Sequence, residues 1–206
     1  MRDVPIGDFL DSLADRVPAP GGGAVAALHA AQSAALLGMV ARYSTGPTFA
    51  EHADVIERVL VRADALRADA LELAEDDAEA FRAVTETYGL PKGTDEEKTD
   101  RSAAIATALA AAAEPPAAVI VAAMHLVAMA EELLPVGNSN VVTDVAAAAD
   151  AARAAATTAR LNVEVNLTGV TDDAVRERLE ATLEEVDDLA ARADRVTAAV
   201  RERIGS

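Results

Sequence analysis

Apolar residues recur at helical spacing along almost the whole chain, and the places where that rhythm breaks carry the chemistry. Over residues 6–17, Phe9, Leu10, Leu13, Ala14 and Val17 fall three or four apart, and Pro18 stops the run. After PAPGGG, residues 24–43 are nearly all small and apolar. A helix without a polar face belongs at the centre of a bundle. STGP at 44–47 reads as a turn. A long helix is predicted over 48–88, with Ile56, Ala63, Ala70 and Val84 in one heptad row and Val59, Leu66, Leu73 and Ala80 in the other.

GLPKG at 89–93 closes that helix, and Thr94 with Glu97 has the spacing of a capping box that opens the next. Pro115 and Pro116 are expected to break this helix and to start a successor ending near Leu134. PVGNSN at 135–140 is a polar loop, and a further helix is predicted over 141–167. Thr171, Asp172 and Asp173 open a last amphipathic helix that runs to about Ile204. The expected fold class is all-α: a single-domain bundle of six to seven helices over residues 1–206, including one very long helix.

Composition sharpens this picture. Hydrophobic residues make up 51% of the chain but aromatics only 2%, so the core must be built from Ala, Leu and Val. Ala is also the best helix former and lets helices approach closely. The formal net charge of −17 argues against nucleic acid and anionic membranes, both of which need a positive face. The chain has no Cys, which removes disulfides, thiol nucleophiles and thiolate metal sites. The first residues lack the apolar core of a signal peptide, and the apolar runs fall short of a membrane span. A soluble cytoplasmic protein is expected, and its largely apolar helices suggest a homodimer.

Polar residues at core positions are the candidates for function, because a carboxylate is costly to bury without a purpose. Asp77 falls in the row of Ile56, Ala63, Ala70 and Val84. The competing reading is a local slip of register in which Ala74, Ala78 and Phe81 carry the core. Asp144 falls on the stripe of Val141, Ala148, Ala151 and Ala155, where it also favours the helix dipole. Asn162 and Asn166 lie four apart on one helix face. Asn138 and Asn140 fit turn and cap positions, and Lys92 sits in the GLPKG loop. The three histidines show no metal-ligand spacing, and no metal site is expected. PAPGGG lacks the Lys-Ser/Thr of a phosphate-binding loop and follows no strand. Close approach of a ligand or a helix to Gly21, Gly22 and Gly23, with positive φ permitted there, is the remaining explanation for the glycines.

Taken together, PAPGGG, DDAEAF at 76–81, LPK at 90–92 and NSNVVTDV at 138–145 resemble the formiminotetrahydrofolate cyclodeaminase / methenyltetrahydrofolate cyclohydrolase family. The order holds over nearly the whole chain. The resemblance implies an all-α homodimer acting on tetrahydrofolate one-carbon derivatives, with the folate as substrate and no permanently bound cofactor. One branch of the family releases ammonia from the formimino derivative; the other hydrates the methenyl bridge. A non-catalytic helical module derived from the family is the alternative. Asp77, Lys92, Asn138, Asn140, Asp144 and Asn166 stand where the family pattern has them. The proton transfers of both reactions lead to the expectation that Asp77, Asp144 and Lys92 are catalytic: the two carboxylates converge near the Lys92 loop, one of them acts as acid/base, and Lys92 holds the pterin or its one-carbon group. Gly21, Gly22, Gly23, Arg101, Asn138, Asn140 and Asn166 would bind substrate. Three departures stand out: His29 and Ala146 replace common glycines, and Arg42 sits in an altered MVARYS segment.

Overall fold

Six α-helices account for nearly all of the chain in a computed structural model that describes residues 2–205, so that Met1 and Ser206 of the expected domain lie outside it. In order they are α1 (Ile6–Ala14), α2 (Gly22–Tyr43), α3 (Ala53–Thr87), α4 (Asp95–Val136), α5 (Val142–Leu167) and α6 (Asp173–Gly205). Short 3-10 segments at Pro47–His52 and Ser139–Val141 precede α3 and α5. The all-α expectation holds. So does the central place of the apolar helix: α2 packs against α3, α4 and α5, and α6 closes the outside against α4 and α5.

Alanine governs the packing. Ala24, Ala27, Ala30 and Ala34 of α2 and Ala148, Ala152, Ala155 and Ala159 of α5 are buried, so these two backbones run close together. Leu37, Ile120, Leu126, Leu133, Leu179 and Leu189 fill the wider gaps. In α3 the row Ile56, Ala63, Ala70 and Val84 is buried as its spacing predicts. From Ala74 onward Ala74 and Ala78 take over from the second row, while Phe81 stays half exposed.

The helix caps behave as the sequence indicates. Thr94 Oγ1 accepts the Glu97 N–H at 3.2 Å, and Glu97 Oε2 accepts the Thr94 N–H at 3.0 Å. Asp172 Oδ1 accepts the N–H groups of Ala174 and Val175 at the start of α6.

The proline pair does not break the helix. α4 runs unbroken through Pro115 and Pro116 for 42 residues and is longer than α3, which has 35. Proline removes backbone donors and crowds the preceding turn. Here both rings are buried in the core, and packing on α3, α5 and α6 holds the helix together. The uninterrupted run also corrects the expectation that no apolar stretch reaches a membrane span. α2 and α4 are long and apolar enough to cross a membrane, although 61% and 56% of their most apolar windows are buried within the bundle.

Candidate active site

The site starts from a helix end that cannot cap itself. Gly21, the N-cap of α2, is extended with φ −141° and has no side chain to offer the first N–H groups. Asp77 of α3 fills that role from across the bundle. Its carboxylate lies against Gly23 and faces the Ala24 backbone N–H, which favours the ionised form. A Cβ on Gly23 would overlap the Asp77 Oδ1 and Cγ atoms and approach Oδ2 to 2.7 Å. The close approach expected for the glycines is therefore real at Gly23, and the intruder is a carboxylate. A Cβ on Gly22 would meet Asn162 Nδ2 at an ordinary 3.6 Å, and one on Gly21 would meet nothing within 4 Å. Positive φ has no part in it: among the described residues only Gly46 has that conformation.

Asp77 is partly buried, and two influences on its proton compete. Desolvation raises its pKa, the Ala24 N–H lowers it, and desolvation wins. The carboxyl group thus holds its proton more tightly than an ordinary aspartate. It lies on the wall of a cavity of about 240 Å³ that is also lined by Gly21, Gly22, Gly23, Phe81, Asn162 and Asn166. Pro18 and Ala19, the latter joined to Pro20 by a cis bond, also line it.

The two asparagines come from α5, four residues apart on one face. Asn162 Nδ2 donates to the Thr158 carbonyl of its own helix at 2.9 Å. Asn166 Nδ2 donates to the Ala112 carbonyl of α4 at 3.0 Å. Each nitrogen thus has one N–H engaged, and the two side-chain oxygens remain as acceptors. The sequence pattern puts Asn162 on the Asn166 face without singling it out. Phe81 escapes pattern reading because an apolar residue at helical spacing looks like core.

The remaining expected site residues lie elsewhere. Asp144 and Asn162 share α5 but are 18 residues apart, about 27 Å along the axis. Asp144 therefore does not converge with Asp77 inside one chain. Asn138 and Asn140 belong to the Asp144 end: Asn138 Nδ2 donates to the Tyr43 carbonyl at the far end of α2, and Asn138 Oδ1 accepts the Asn140 N–H. Lys92 is exposed at the tip of the α3–α4 hairpin, and Arg101 Nη2 donates to the Tyr88 carbonyl beside it. Neither lines the cavity. Arg42 pairs with Asp64 of α3 at 2.6 Å and joins two helices near the far end.

Residues 5–185 match the family model described as Formiminotransferase-cyclodeaminase. The chain belongs to this family. It is 38% identical over 199 residues to the methenyltetrahydrofolate cyclohydrolase of Methylorubrum extorquens, covering 96% of this chain and 94% of that protein. It is 36% identical over 192 residues to the pig (Sus scrofa) formimidoyltransferase-cyclodeaminase, covering 91% of this chain but 36% of the pig protein. The crystal structure of formiminotetrahydrofolate cyclodeaminase from Thermotoga maritima superimposes with a TM-score of 0.86, 29% identity and 98% coverage of each chain.

Proposed function

We propose that this chain is a folate one-carbon enzyme that hydrates 5,10-methenyltetrahydrofolate to 10-formyltetrahydrofolate, with Asp77 moving the protons. The observation that carries this reading is a desolvated carboxyl group on the wall of a cavity, lying where a Cβ on Gly23 would overlap it. The cyclohydrolase from M. extorquens supports it, since the match covers nearly the full length of both chains. A cavity of about 240 Å³ lies below the usual range for a whole ligand, so it suits the ring end of a folate with the tail outside.

In this scheme ionised Asp77 takes a proton as water adds to the methenyl carbon. A tetrahedral carbinolamine results. Protonated Asp77 then delivers that proton to N5 as the carbon–N5 bond breaks. The hydroxyl group loses its proton to solvent, leaving the formyl group on N10. A carboxyl group with raised pKa suits both halves, because base and acid forms coexist closer to neutral pH.

A second reading rests on the name of the T. maritima relative. In a cyclodeaminase, N10 attacks the formimino carbon, the N10 proton passes to the former imine nitrogen, and protonated Asp77 donates the second proton as that nitrogen leaves as ammonia. The two readings separate in one experiment. Turnover of methenyltetrahydrofolate above the buffer rate supports hydration; ammonia release from formiminotetrahydrofolate supports deamination. Saturable binding of both without turnover would leave the non-catalytic module.

The homodimer belongs to the same proposal. Ile6 is 80% exposed and Leu10 54% exposed on α1, a helix with no buried residue. A two-fold axis across the middle of α2 would set the Asp144, Asn138 and Asn140 end of one copy against the glycine end of the other. Mixing Asp77→Asn with Asp144→Asn subunits tests this. Recovery of part of the activity is expected; two inactive parents that stay inactive together would remove the shared site.

A further inference from the structure

The buried proline pair is left without a function by the fold, yet its position matches a contact in the cavity. In a regular helix the N–H of residue 116 donates to the carbonyl of residue 112. Pro116 has no N–H, so that carbonyl loses its helical partner. Asn166 Nδ2 of α5 occupies the place, at 3.0 Å from the Ala112 oxygen.

This substitution fixes the direction of an amide. A carbonyl oxygen only accepts, so the nitrogen of Asn166 must face α4 and its oxygen must face away. Ala112 and Asn166 both line the cavity that holds Asp77. Among the described residues nothing donates to Asn166 Oδ1. With a backbone N–H at 116, the Ala112 oxygen would be shared between that donor and Asn166. Asn166 would then be held less firmly in a single orientation.

We propose that Pro116 is a positioning residue that locks Asn166 as a hydrogen-bond acceptor, and that Asn166 Oδ1 recognises an N–H group on the pterin ring of the substrate. The ligand half of this inference rests on the folate reading above. The orientation half rests only on the contact between α4 and α5.

Pro115 supplies the control. It is the neighbouring buried proline, but the carbonyl it frees belongs to Ala111, which takes no part in the cavity. Pro115→Ala and Pro116→Ala therefore make the same change in side-chain volume and helix propensity one residue apart. Pro116→Ala is expected to raise KM for methenyltetrahydrofolate by about five- to tenfold, the loss of one oriented hydrogen bond, with a smaller change in kcat. Pro115→Ala is expected to stay within twofold. In an Asn166→Ala background, Pro116→Ala should add nothing further to KM. Equal KM values for the two proline variants, or additive effects in the double variant, overturn the proposal.

A readout independent of substrate accompanies the kinetics. The Asn166 side-chain proton bonded to Ala112 should be protected from exchange in the wild type and in Pro115→Ala, and clearly less so in Pro116→Ala. Protection undiminished in Pro116→Ala overturns the lock even if the protein turns over no folate. Loss of protection in a protein that neither binds nor turns over folate would retain the lock and defeat the folate reading instead.

Discussion

The two ends of α2 carry similar residues put to opposite uses. At the Tyr43 end, Asn138 is fully engaged: its backbone N–H donates to Ser44 Oγ at 2.8 Å, its Nδ2 to the Tyr43 carbonyl and its Oδ1 accepts from Asn140. Ser44 Oγ in turn donates to the Val40 carbonyl. This network latches the loop before α5 onto the end of α2. At the glycine end, Asn162 and Asn166 commit only their nitrogens to protein, and they share a cavity wall with Asp77. Side chains committed on every polar atom hold structure; those with an atom left facing a cavity are available to a ligand. The contrast says more than residue type, since asparagine serves at both ends.

The largest expected effect comes from removing the proton at the glycine end. Asp77→Asn should lower turnover by about 10²–10⁴-fold, the usual contribution of a general acid or base. Stability should move the other way. The Asp77 pKa is raised by folding, so the native state favours the protonated form and loses stability as pH rises through that pKa. Asn retains an acceptor for the Ala24 N–H and carries no charge. The variant should therefore melt at or above the wild type at neutral pH, and the gap should close as pH falls toward the ordinary carboxylate value near 4. A variant that melts well below the wild type at pH 7 would make Asp77 a structural cap.

Next in size is Gly23→Ala. The added methyl group displaces the Asp77 carboxylate, and overpacking of this kind costs about 1–3 kcal/mol. Turnover should fall by about 10-fold or more, because the displaced group is the one that moves the proton. Gly22→Ala, which meets Asn162 at 3.6 Å, should do less. Equal losses at the two positions, measured by kinetics and thermal melting, would break the link between Gly23 and Asp77.

The opposite end should respond in stability first. Asn138→Ala removes the latch to Tyr43 and Asn140, and losing these two exposed bonds should cost about 1 kcal/mol or less, read as a lower melting temperature. If turnover instead collapses while melting is unchanged, the far end reaches an active site, and within a single chain the length of α5 forbids that.

These differences bear on what the sequence disclosed. The helical rhythm located every helix except the join in α4, where the local effect of two prolines was outweighed by the burial of both rings. Asp77 was visible as a carboxylate in an apolar row. Its partner Gly23 was visible as a glycine, but the contact joins residues 54 positions apart and no periodicity encodes it. The grouping of Asp144 with Asp77 does not hold within one chain for the same reason: spacing fixes a helix face, while the end of the bundle reached depends on helix length and direction. The role of Asn166 became legible only once Pro116 was seen to leave a carbonyl open.

Arg42 gives the smallest effect and the sharpest check on the contrast between the ends. The sequence marks it as a departure from the family pattern, which raises the question of an altered ligand. The structure places it in the last turn of α2, with Nη2 at 2.6 Å from Asp64 and Nη1 donating to the Gly38 carbonyl at 3.2 Å. Its side chain is 50% exposed and that of Asp64 37%, so solvent screens the pair. Such pairs contribute at most about 1 kcal/mol. Arg42→Gln should lower the melting temperature slightly and less so in high salt, because screening already weakens the pair it removes. KM for methenyltetrahydrofolate should stay within about twofold. A larger shift in KM with unchanged melting would mean that the Tyr43 end of α2 contacts substrate, as the proposed pairing of two copies would allow.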